Sequence, residues 1–276
     1  MIGAFVGDCA GSEWEFTRNK NVNIELFSPA AQFTDDSVCT AAISQWLLSG
    51  KEDAGPFLLE MGRFHLGRGF GGKFLEWLRS DRPEPYGSWG NGSAMRASAC
   101  ALWAANDQEA MDLARRSAIP THGHPDAVAG AQALAMAIRW TMQGLPLPAV
   151  LAKVESAFAY AGLCSLNPDE VRPSHRFDVS CAGTVPLALA CASHGGSFEG
   201  AMRLCLSMGG DADTLAAIAG PVAEAAWGIP NELFEKASAL SGPEDMVLEP
   251  ILAIYGHPKV RSRINGGGVG SPLRWR

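Results

Sequence analysis

The feature of this sequence that most restricts its fold is a helical spacing of apolar residues along nearly its whole length. Alanine and leucine are frequent, runs of β-branched residues are scarce, and apolar residues recur every three or four positions. The clearest stretch runs from Pro125 to Met142, where a proline in the first turn is followed by alanine, leucine, methionine and isoleucine at helical period. We therefore predict an all-α fold, organised as a single compact helical bundle.

The same pattern predicts the remaining helices and the loops between them. Helices are expected over residues 37–48, 56–66, 72–78, 94–105, 107–118, 146–161, 181–193, 197–208, 213–227, 232–240 and 243–255. The segments 79–93 and 165–178 are polar and are predicted to be loops. Pro186 and Pro221 are expected to kink or shorten their helices. No repeat or change in composition divides the chain, so we predict one domain over residues 1–258 and a basic, glycine-containing tail over residues 259–276.

Composition and charge narrow the classes of protein. Of the 276 residues, 47% are hydrophobic and 18% are charged, which is typical of a globular protein. The net charge of -7 argues against a general nucleic-acid-binding surface and leaves carboxylates available for cations. Seven cysteines without a C-x-x-C pair indicate reduced, buried thiols. The chain starts without a basic signal-peptide region and has no apolar stretch of about 18 residues, so we predict a cytoplasmic protein without a membrane span.

Two short acidic stretches stand out within the helical pattern. Thr34-Asp35-Asp36 and Asp211-Ala212-Asp213-Thr214 each stand at the start of an alanine-rich helical segment. Helix capping explains one acidic residue at each start, because threonine and aspartate are favoured there. The two stretches together hold more carboxylates than capping requires. Carboxylate and hydroxyl oxygens without a nearby histidine or cysteine are the ligands that Mg²⁺, Mn²⁺ or Ca²⁺ prefers, so a shared metal site is the second interpretation.

A third acidic stretch lies near the N-terminus, from Gly7 to Phe16. Asp8, Ser12 and Glu15 lie at helical spacings within it and could share one face of a helix. One interpretation is the solvent-facing side of an amphipathic helix. The other is that Glu15 points into a cleft, where it acts as a general acid or base or as a gating carboxylate.

Two further stretches contain groups that could bind a substrate. The segment from Tyr86 to Arg96 alternates glycine with polar residues and runs into a predicted helix, so its backbone N–H groups could bind phosphate, with Trp89 as a flat surface for a base. An ordinary loop and helix cap is the alternative. In Thr121-His122-Gly123-His124 the two histidines either face a substrate or lie in solvent at a helix start, and the lack of a nearby third ligand argues against zinc.

In this order, the five stretches resemble the motifs of the ADP-ribosylglycohydrolase family, the relatives of dinitrogenase-reductase-activating glycohydrolase. The resemblance runs from about Gly3 to Tyr255. It implies an orthogonal bundle of helices with a binuclear Mg²⁺ or Mn²⁺ site at the bottom of an ADP-ribose cleft. One departure is Ser37, which stands where the family usually has a threonine and keeps the hydroxyl group.

The resemblance also implies a role for each matched residue. The implied metal ligands are Thr34, Asp35 and Asp36 from one side and Asp211, Asp213 and Thr214 from the other. The implied catalytic residues are Glu15, Asp35 and Asp36, with Glu15 as the family's mobile glutamate and one of the three taking a proton from the attacking water. The implied substrate-binding residues are Gly87, Ser88, Trp89, Asn91 and His122, and the candidates for an aromatic partner of adenine are Trp89 and Tyr86.

The implied activity is hydrolysis of the bond between the distal ribose of ADP-ribose and an acceptor. The acceptor stays open: an arginine or serine side chain, a small molecule, an ADP-ribose polymer, or nucleic acid only where it carries ADP-ribose. We expect the loops 16–32 and 164–178 to select it, and we expect a monomer. Two alternatives remain, a metal-dependent nucleotide-diphosphate phosphohydrolase and a non-catalytic ADP-ribose-binding or structural relative.

Overall fold

A computed structural model describes residues 1–242 and 246–266, with side chains as far as residue 262. In these residues fifteen α-helices are connected by loops and by two short 3-10 turns at Asn91–Ser93 and Leu163–Ser165. The helices are α1 (Ile2–Gly11), α2 (Asp35–Ser49), α3 (Gly55–Phe64), α4 (Gly72–Arg79), α5 (Ser98–Trp103), α6 (Asp107–Ala118), α7 (Pro125–Met142), α8 (Leu147–Phe158), α9 (Pro168–Val171), α10 (Cys181–His194), α11 (Phe198–Met208), α12 (Ala212–Trp227), α13 (Asn231–Ser238), α14 (Leu248–Gly256) and α15 (Pro258–Gly266). The described ranges contain no β-sheet, and the predicted all-α class is confirmed.

Helix α12 lies at the centre of the bundle. Its residues from Ala212 to Ala225 are all buried, and it packs against α1, α7, α10 and α11. Pro221 lies inside α12 and Pro186 inside α10, and both helices continue past the proline. The acidic start of α12 is therefore carried into the interior of the molecule, where solvent does not stabilise its charges.

Helix α1 packs unusually close to α12 because one of its faces is made of the glycines at positions 3, 7 and 11. A Cβ atom at Gly7 would lie 2.2 Å from the carbonyl oxygen of Ala216, and one at Gly11 would lie 2.4 Å from the Cα atom of Asp213. No side chain fits between two backbones at these distances. The absence of side chains on this face brings Asp8 of α1 to the start of α12.

The structure agrees with most of the predicted helices and corrects others. Helices α6 and α7 have the predicted bounds, and α2 begins at Asp35, so that its acidic residues form its first turn. The helix predicted over 94–105 is shorter, because residues 91–97 form successive tight turns closed by backbone bonds from Ala94 to Asn91 and from Ala97 to Ala94. The shared helical face predicted for Asp8, Ser12 and Glu15 is wrong, because α1 ends at Gly11 and Glu15 lies in the turn that follows.

The loop and tail predictions have mixed outcomes. The segment 165–178 is mainly irregular but contains the single turn of α9. The predicted helix 243–255 corresponds to α14, and residues 243–245 lie outside the described part of the chain. Helix α15 covers residues 259–266 of the predicted tail, whereas residues 267–276 lie outside the described part of the chain. None of the helices in the described ranges is both long enough and apolar enough to cross a bilayer.

Candidate metal and substrate site

The two acidic helix starts meet in the interior, as the sequence predicted. The hydroxyl of Thr214, in the first turn of α12, donates a hydrogen bond to Asp36 Oδ2 of α2 at 3.2 Å. Carboxylate oxygens of Asp8, Asp36 and Asp213 lie within 4.8 Å of one another. Carboxylate oxygens of Glu15, Asp211 and Asp213 form a second group with the same spacing. Asp213 belongs to both groups, so the two groups adjoin.

Asp8 organises the start of α2 from a different helix. Its carboxylate accepts hydrogen bonds from the backbone N–H groups of Thr34 at 2.9 Å and Ser37 at 3.0 Å. It also accepts bonds from both hydroxyls, from Thr34 Oγ1 at 2.6 Å and from Ser37 Oγ. Burial raises the pKa of Asp8, and these four donors oppose that effect. The family resemblance did not imply Asp8 as a metal ligand, although Asp8 lies in the third acidic stretch of the sequence.

The start of α12 is shaped by its backbone. Gly209 and Gly210 both have positive φ angles, of 62° and 71°. Phe16 N–H donates to the carbonyl of Gly210 at 2.7 Å, and Gly210 N–H donates to the carbonyl of Thr17 at 2.9 Å. These two bonds hold the turn containing Glu15 against the turn that precedes Asp211. Glu15 therefore reaches the acidic groups through a paired loop rather than through a helix.

Asn91 connects the glycine-containing loop to the same site. Its Nδ2 donates to Asp211 Oδ2 at 2.6 Å and to Thr184 Oγ1 at 3.1 Å. Because an amide N–H binds a carboxylate oxygen directly, Asn91 orients Asp211 toward the cluster. The sequence predicted Asn91 as a substrate-binding residue, and its contact in the structure is with a predicted metal ligand.

Asp35 has a more peripheral position. It lines the cavity next to the cluster, its backbone N–H donates to the carbonyl of Arg68 at 2.7 Å, and its Oδ1 faces Gly69. Its carboxylate is in neither group of three within the described residues. Burial, followed by repulsion from Asp8 and Asp211, raises the pKa of Asp35 well above its ordinary value.

The arrangement fits divalent cations bound by oxygen. Asp36 Oδ1 is buried and has no hydrogen-bond partner among the described residues, which is costly for a carboxylate oxygen without a cation. Burial, followed by repulsion between neighbouring acids, raises the pKa values of Asp36 and Asp213 well above their ordinary range. A bound cation would remove this repulsion. The groups that could bind the cation are carboxylates and the hydroxyls of Thr34 and Thr214, the ligand set that Mg²⁺, Mn²⁺ or Ca²⁺ prefers.

A cavity of about 510 Å³ opens from the acidic cluster. Glu15 lies at its edge, half-buried, and burial, with Asp211 and Asp8 nearby, raises its pKa to about 7. The next residue, Phe16, has a φ angle of 60°, a strained value for a residue with a bulky side chain. The residue is 72% exposed, and its ring stacks on Phe177 with 5.1 Å between ring centroids. Glu15 is thus followed by a strained and exposed aromatic residue.

Two groups of loop residues line the cavity. One wall contains Ser88, Asn91 and His122 from the predicted substrate-binding set. Gly87 pairs with His122 through the backbone and lies outside the lining, and Trp89 also lies outside it, with its side chain 52% exposed. Of the two candidate partners for adenine, only Tyr86 lines the cavity.

The second wall consists of residues that the sequence analysis did not predict to be part of the site. It comprises Gly69, Phe70, Gly71, Gly72 and Lys73, at and before the start of α4. Gly71 and Gly72 are exposed, and a Cβ atom added at either would meet nothing within 4 Å, so no side chain crowds the backbone at the start of α4. A glycine-rich run directly before a predicted helix is the signal that could have identified this wall.

The comparisons with known proteins agree with this geometry. The sequence profile of the family described as ADP-ribosylglycohydrolase matches residues 1–249. The chain belongs to this family. It is 24% identical to the protein named ADP-ribosylhydrolase ARH3 of Danio rerio over 302 aligned positions, which cover 83% of this chain and 82% of that protein. A solved structure titled "ADP-ribosylglycohydrolase-related protein complex" is 26% identical, with a TM-score of 0.72 over 92% of this chain and 96% of that one.

Membership confirms the resemblance and the enzyme class. An ADP-ribosylglycohydrolase hydrolyses glycosyl bonds of ADP-ribosylated substrates, so this protein is a hydrolase of that class. The structural neighbour has the same helical fold, which agrees with the predicted architecture. The acidic cluster at the cavity could bind metal in such an enzyme.

Proposed function

We propose that this ADP-ribosylglycohydrolase is metal-dependent and cleaves the bond between the distal ribose of ADP-ribose and its acceptor at the acidic end of the cavity. One observation carries the proposal: acidic residues from two helix starts distant in sequence converge at one end of a cavity large enough for part of a nucleotide. The proposed ligands are Thr34, Asp35, Asp36, Asp211, Asp213 and Thr214, as predicted, and Asp8 lies beside them in one of the two acidic groups. We propose two ions, Mg²⁺ or Mn²⁺.

In the proposed reaction the bound ions, Glu15, the buried carboxylates and Asn91 have different roles. Bound divalent ions would supply Lewis-acid stabilisation of oxygen atoms and would lower the pKa of water. Glu15 lines the cavity beside the acidic cluster, where a general acid or base would be in reach of the reacting bond. The buried carboxylates around it provide negative charge where the ribose becomes positive in the transition state. Asn91 holds Asp211 in the orientation that this arrangement needs.

We propose that the two loop walls bind the diphosphate and the adenosine. The start of α4 suits a phosphate oxygen, because the first backbone N–H groups of a helix have no partner within it and the exposed Gly71 and Gly72 place no side chain there. Ser88 and His122 supply polar groups from the other wall. Tyr86 is the proposed partner of adenine in place of Trp89, because Tyr86 lines the cavity and Trp89 does not.

The proposed function is tested with a panel of ADP-ribosylated substrates and product identification by mass spectrometry. The panel contains ADP-ribosylated arginine and serine peptides, an ADP-ribosylated oligonucleotide, an ADP-ribose polymer and O-acetyl-ADP-ribose, each with Mg²⁺, Mn²⁺ or a chelator. We expect intact ADP-ribose from at least one substrate, and we expect the chelator to abolish its release. AMP as the main product would indicate a phosphohydrolase, and full activity in chelator would refute the metal dependence.

A further inference from the structure

His122 lies at the end of a chain of hydrogen bonds whose other members are completely buried. Arg96 Nη2 donates to the hydroxyl of Thr121 at 2.8 Å, and this Thr121 Oγ1 lies 2.8 Å from His122 Nδ1. Arg96 is held in place by Ser117, whose carbonyl accepts bonds from Nε at 3.2 Å and from Nη2 at 2.8 Å. Arg96 and Thr121 are both 0% exposed, so the orientation of this chain is determined by the protein interior and not by solvent.

This chain determines which nitrogen of His122 carries the proton. Burial, followed by the nearby Arg96 guanidinium, holds the pKa of His122 well below its ordinary value, so the ring is neutral at pH 7. Arg96 is always a donor, so Thr121 Oγ1 accepts from it and keeps its own proton to donate. Among the described residues around Thr121, the acceptor for that proton is His122 Nδ1. A protonated Nδ1 would leave the buried hydroxyl without an acceptor.

The other ring nitrogen faces the substrate-binding loop. His122 lines the cavity, and a Cβ atom at Gly92 would lie only 2.8 Å from its Nε2 and 2.9 Å from its Cε1. The missing side chain at Gly92 is what allows the ring to lie there. Nε2 is therefore next to the turn at residues 90–92, which also holds Asn91 against Asp211.

We propose that Arg96 and Thr121 are positioning residues that hold His122 in its Nε2–H tautomer, so that the ring offers a hydrogen-bond donor to an oxygen of bound ADP-ribose. The identity of the ligand rests on the proposed function. The tautomer does not, because it follows from contacts within the protein alone. One measurement therefore tests the tautomer of His122, and an independent one tests the hydrogen bond from its ring to ADP-ribose.

The tautomer is tested by nitrogen–proton correlation spectra of the histidine rings in metal-free protein at pH 7. His122 is assigned from the signal that disappears in His122→Gln. We expect protonated Nε2 and unprotonated Nδ1 in the wild type and in Thr121→Ser, which keeps the hydroxyl. We expect Thr121→Val, which has the same shape without the hydroxyl, to populate the Nδ1–H form. A wild-type ring protonated mainly at Nδ1, or an unchanged spectrum in Thr121→Val, would overturn the proposal.

The donor is tested by titration with ADP-ribose in the presence of Mn²⁺. We expect Thr121→Val to bind about tenfold more weakly and Thr121→Ser to stay within about twofold of the wild type. Manganese affinity should not change in either variant. Equal weakening by valine and serine would indicate a packing effect and would refute the role of the hydroxyl.

If Thr121→Val does not fold, two substitutions of His122 itself test which ring nitrogen donates the hydrogen bond. Glutamine carries its amide nitrogen close to the position of histidine Nε2, whereas asparagine carries it close to Nδ1. We expect His122→Gln to retain affinity for ADP-ribose within about threefold and His122→Asn to lose about tenfold. The opposite order would overturn the proposal. If the wild type does not bind ADP-ribose, the proposed function and the ligand half fail together, and the spectra still decide the tautomer.

Discussion

The starts of α2 and α12 carry the same kinds of residue, but they are built in different ways. At α2, the side chain of Thr34 caps its own helix by accepting a hydrogen bond from Asp36 N–H at 3.4 Å. The carboxylate of Asp8, which belongs to α1, accepts hydrogen bonds from two further backbone N–H groups. At α12, the side chain of Asp211 makes no capping bond, and two glycines with positive φ angles shape the turn. The start of α2 therefore depends on an acid from another helix, Asp8, whereas the start of α12 depends on the backbone conformation of the two glycines before it.

This difference separates two tasks that an acidic first turn can perform. Asp8 shares the capping of α2 with Thr34, and the carboxylate of Asp36 keeps a buried oxygen that has no partner in the described residues. Asp213 accepts from Thr214 N–H at 2.9 Å and is also a member of both acidic groups. We infer that Asp8 is mainly structural, whereas Asp36 and Asp213 are mainly ligands. The predictions below test that division.

The largest effect is expected for Asp36→Asn and Asp213→Asn. Each variant removes a charged ligand, so kcat/KM should fall by at least about 100-fold and Mn²⁺ affinity should fall with it. The free energy of unfolding of the metal-free protein should stay the same or rise, because asparagine replaces a carboxyl group whose ionised form is destabilised by burial and by the neighbouring acids. Activity assays, manganese titration and chemical denaturation measure these changes. Asp112→Asn, at an exposed position, is the matched control, and near-wild-type release of ADP-ribose would refute the ligand assignment.

A large loss of stability is expected for Asp8→Asn. The asparagine would place an amide N–H₂ among four donors, so at least one buried donor would lose its acceptor. The free energy of unfolding should fall by about 3 kcal/mol. Chemical denaturation in chelator measures the effect without any metal contribution. A variant as stable as Asp36→Asn would contradict the division between a capping acid and a ligand acid.

A smaller loss is expected for Gly7→Ala, which tests how α1 reaches both helix starts. The new Cβ would lie 2.2 Å from the Ala216 carbonyl oxygen, so α1 must move away from α12 and carry Asp8 with it. We expect a loss of about 2 kcal/mol and weaker binding of Mn²⁺. Gly256→Ala, at the last residue of α14, is the control, because a Cβ atom there would meet nothing within 4 Å. Unchanged Mn²⁺ affinity in Gly7→Ala would show that the spacing of α1 and α12 does not control the site.

The smallest effect is a pH dependence of the stability of the metal-free protein. Burial, with Asp211 and Asp8 nearby, raises the pKa of Glu15 from its ordinary 4.5 to about 7. Between these values the folded chain holds a proton that the unfolded chain has lost, so the free energy of unfolding falls as pH rises through this window. Denaturation at a series of pH values should show this slope, and Glu15→Gln should reduce it. Saturating Mn²⁺ should oppose the slope, and a slope of the opposite sign would contradict the raised pKa.

Local signals in the sequence predicted the helices well where capping and periodicity coincide. Proline in the first turn and a continuous apolar period gave α7 its bounds, and Asn106 as a side-chain cap marks the start of α6. The same signals failed at residues 94–97, where tight turns replace helix, and after Gly11, where α1 ends before Glu15. Helical spacing describes a periodic pattern, and it does not show where tertiary contacts stop the helix.

The sequence by itself determined the fold class and the residues of the two acidic turns, because helical period and clustered carboxylates are properties of neighbouring positions. Only the tertiary structure decided that Asp8 belongs to the cluster, that Gly69–Lys73 form a cavity wall and that Trp89 lies outside the lining. Those facts depend on how closely helices distant in the chain approach one another. Here the glycine face of α1 sets that distance, because two backbones touch only where no side chain separates them.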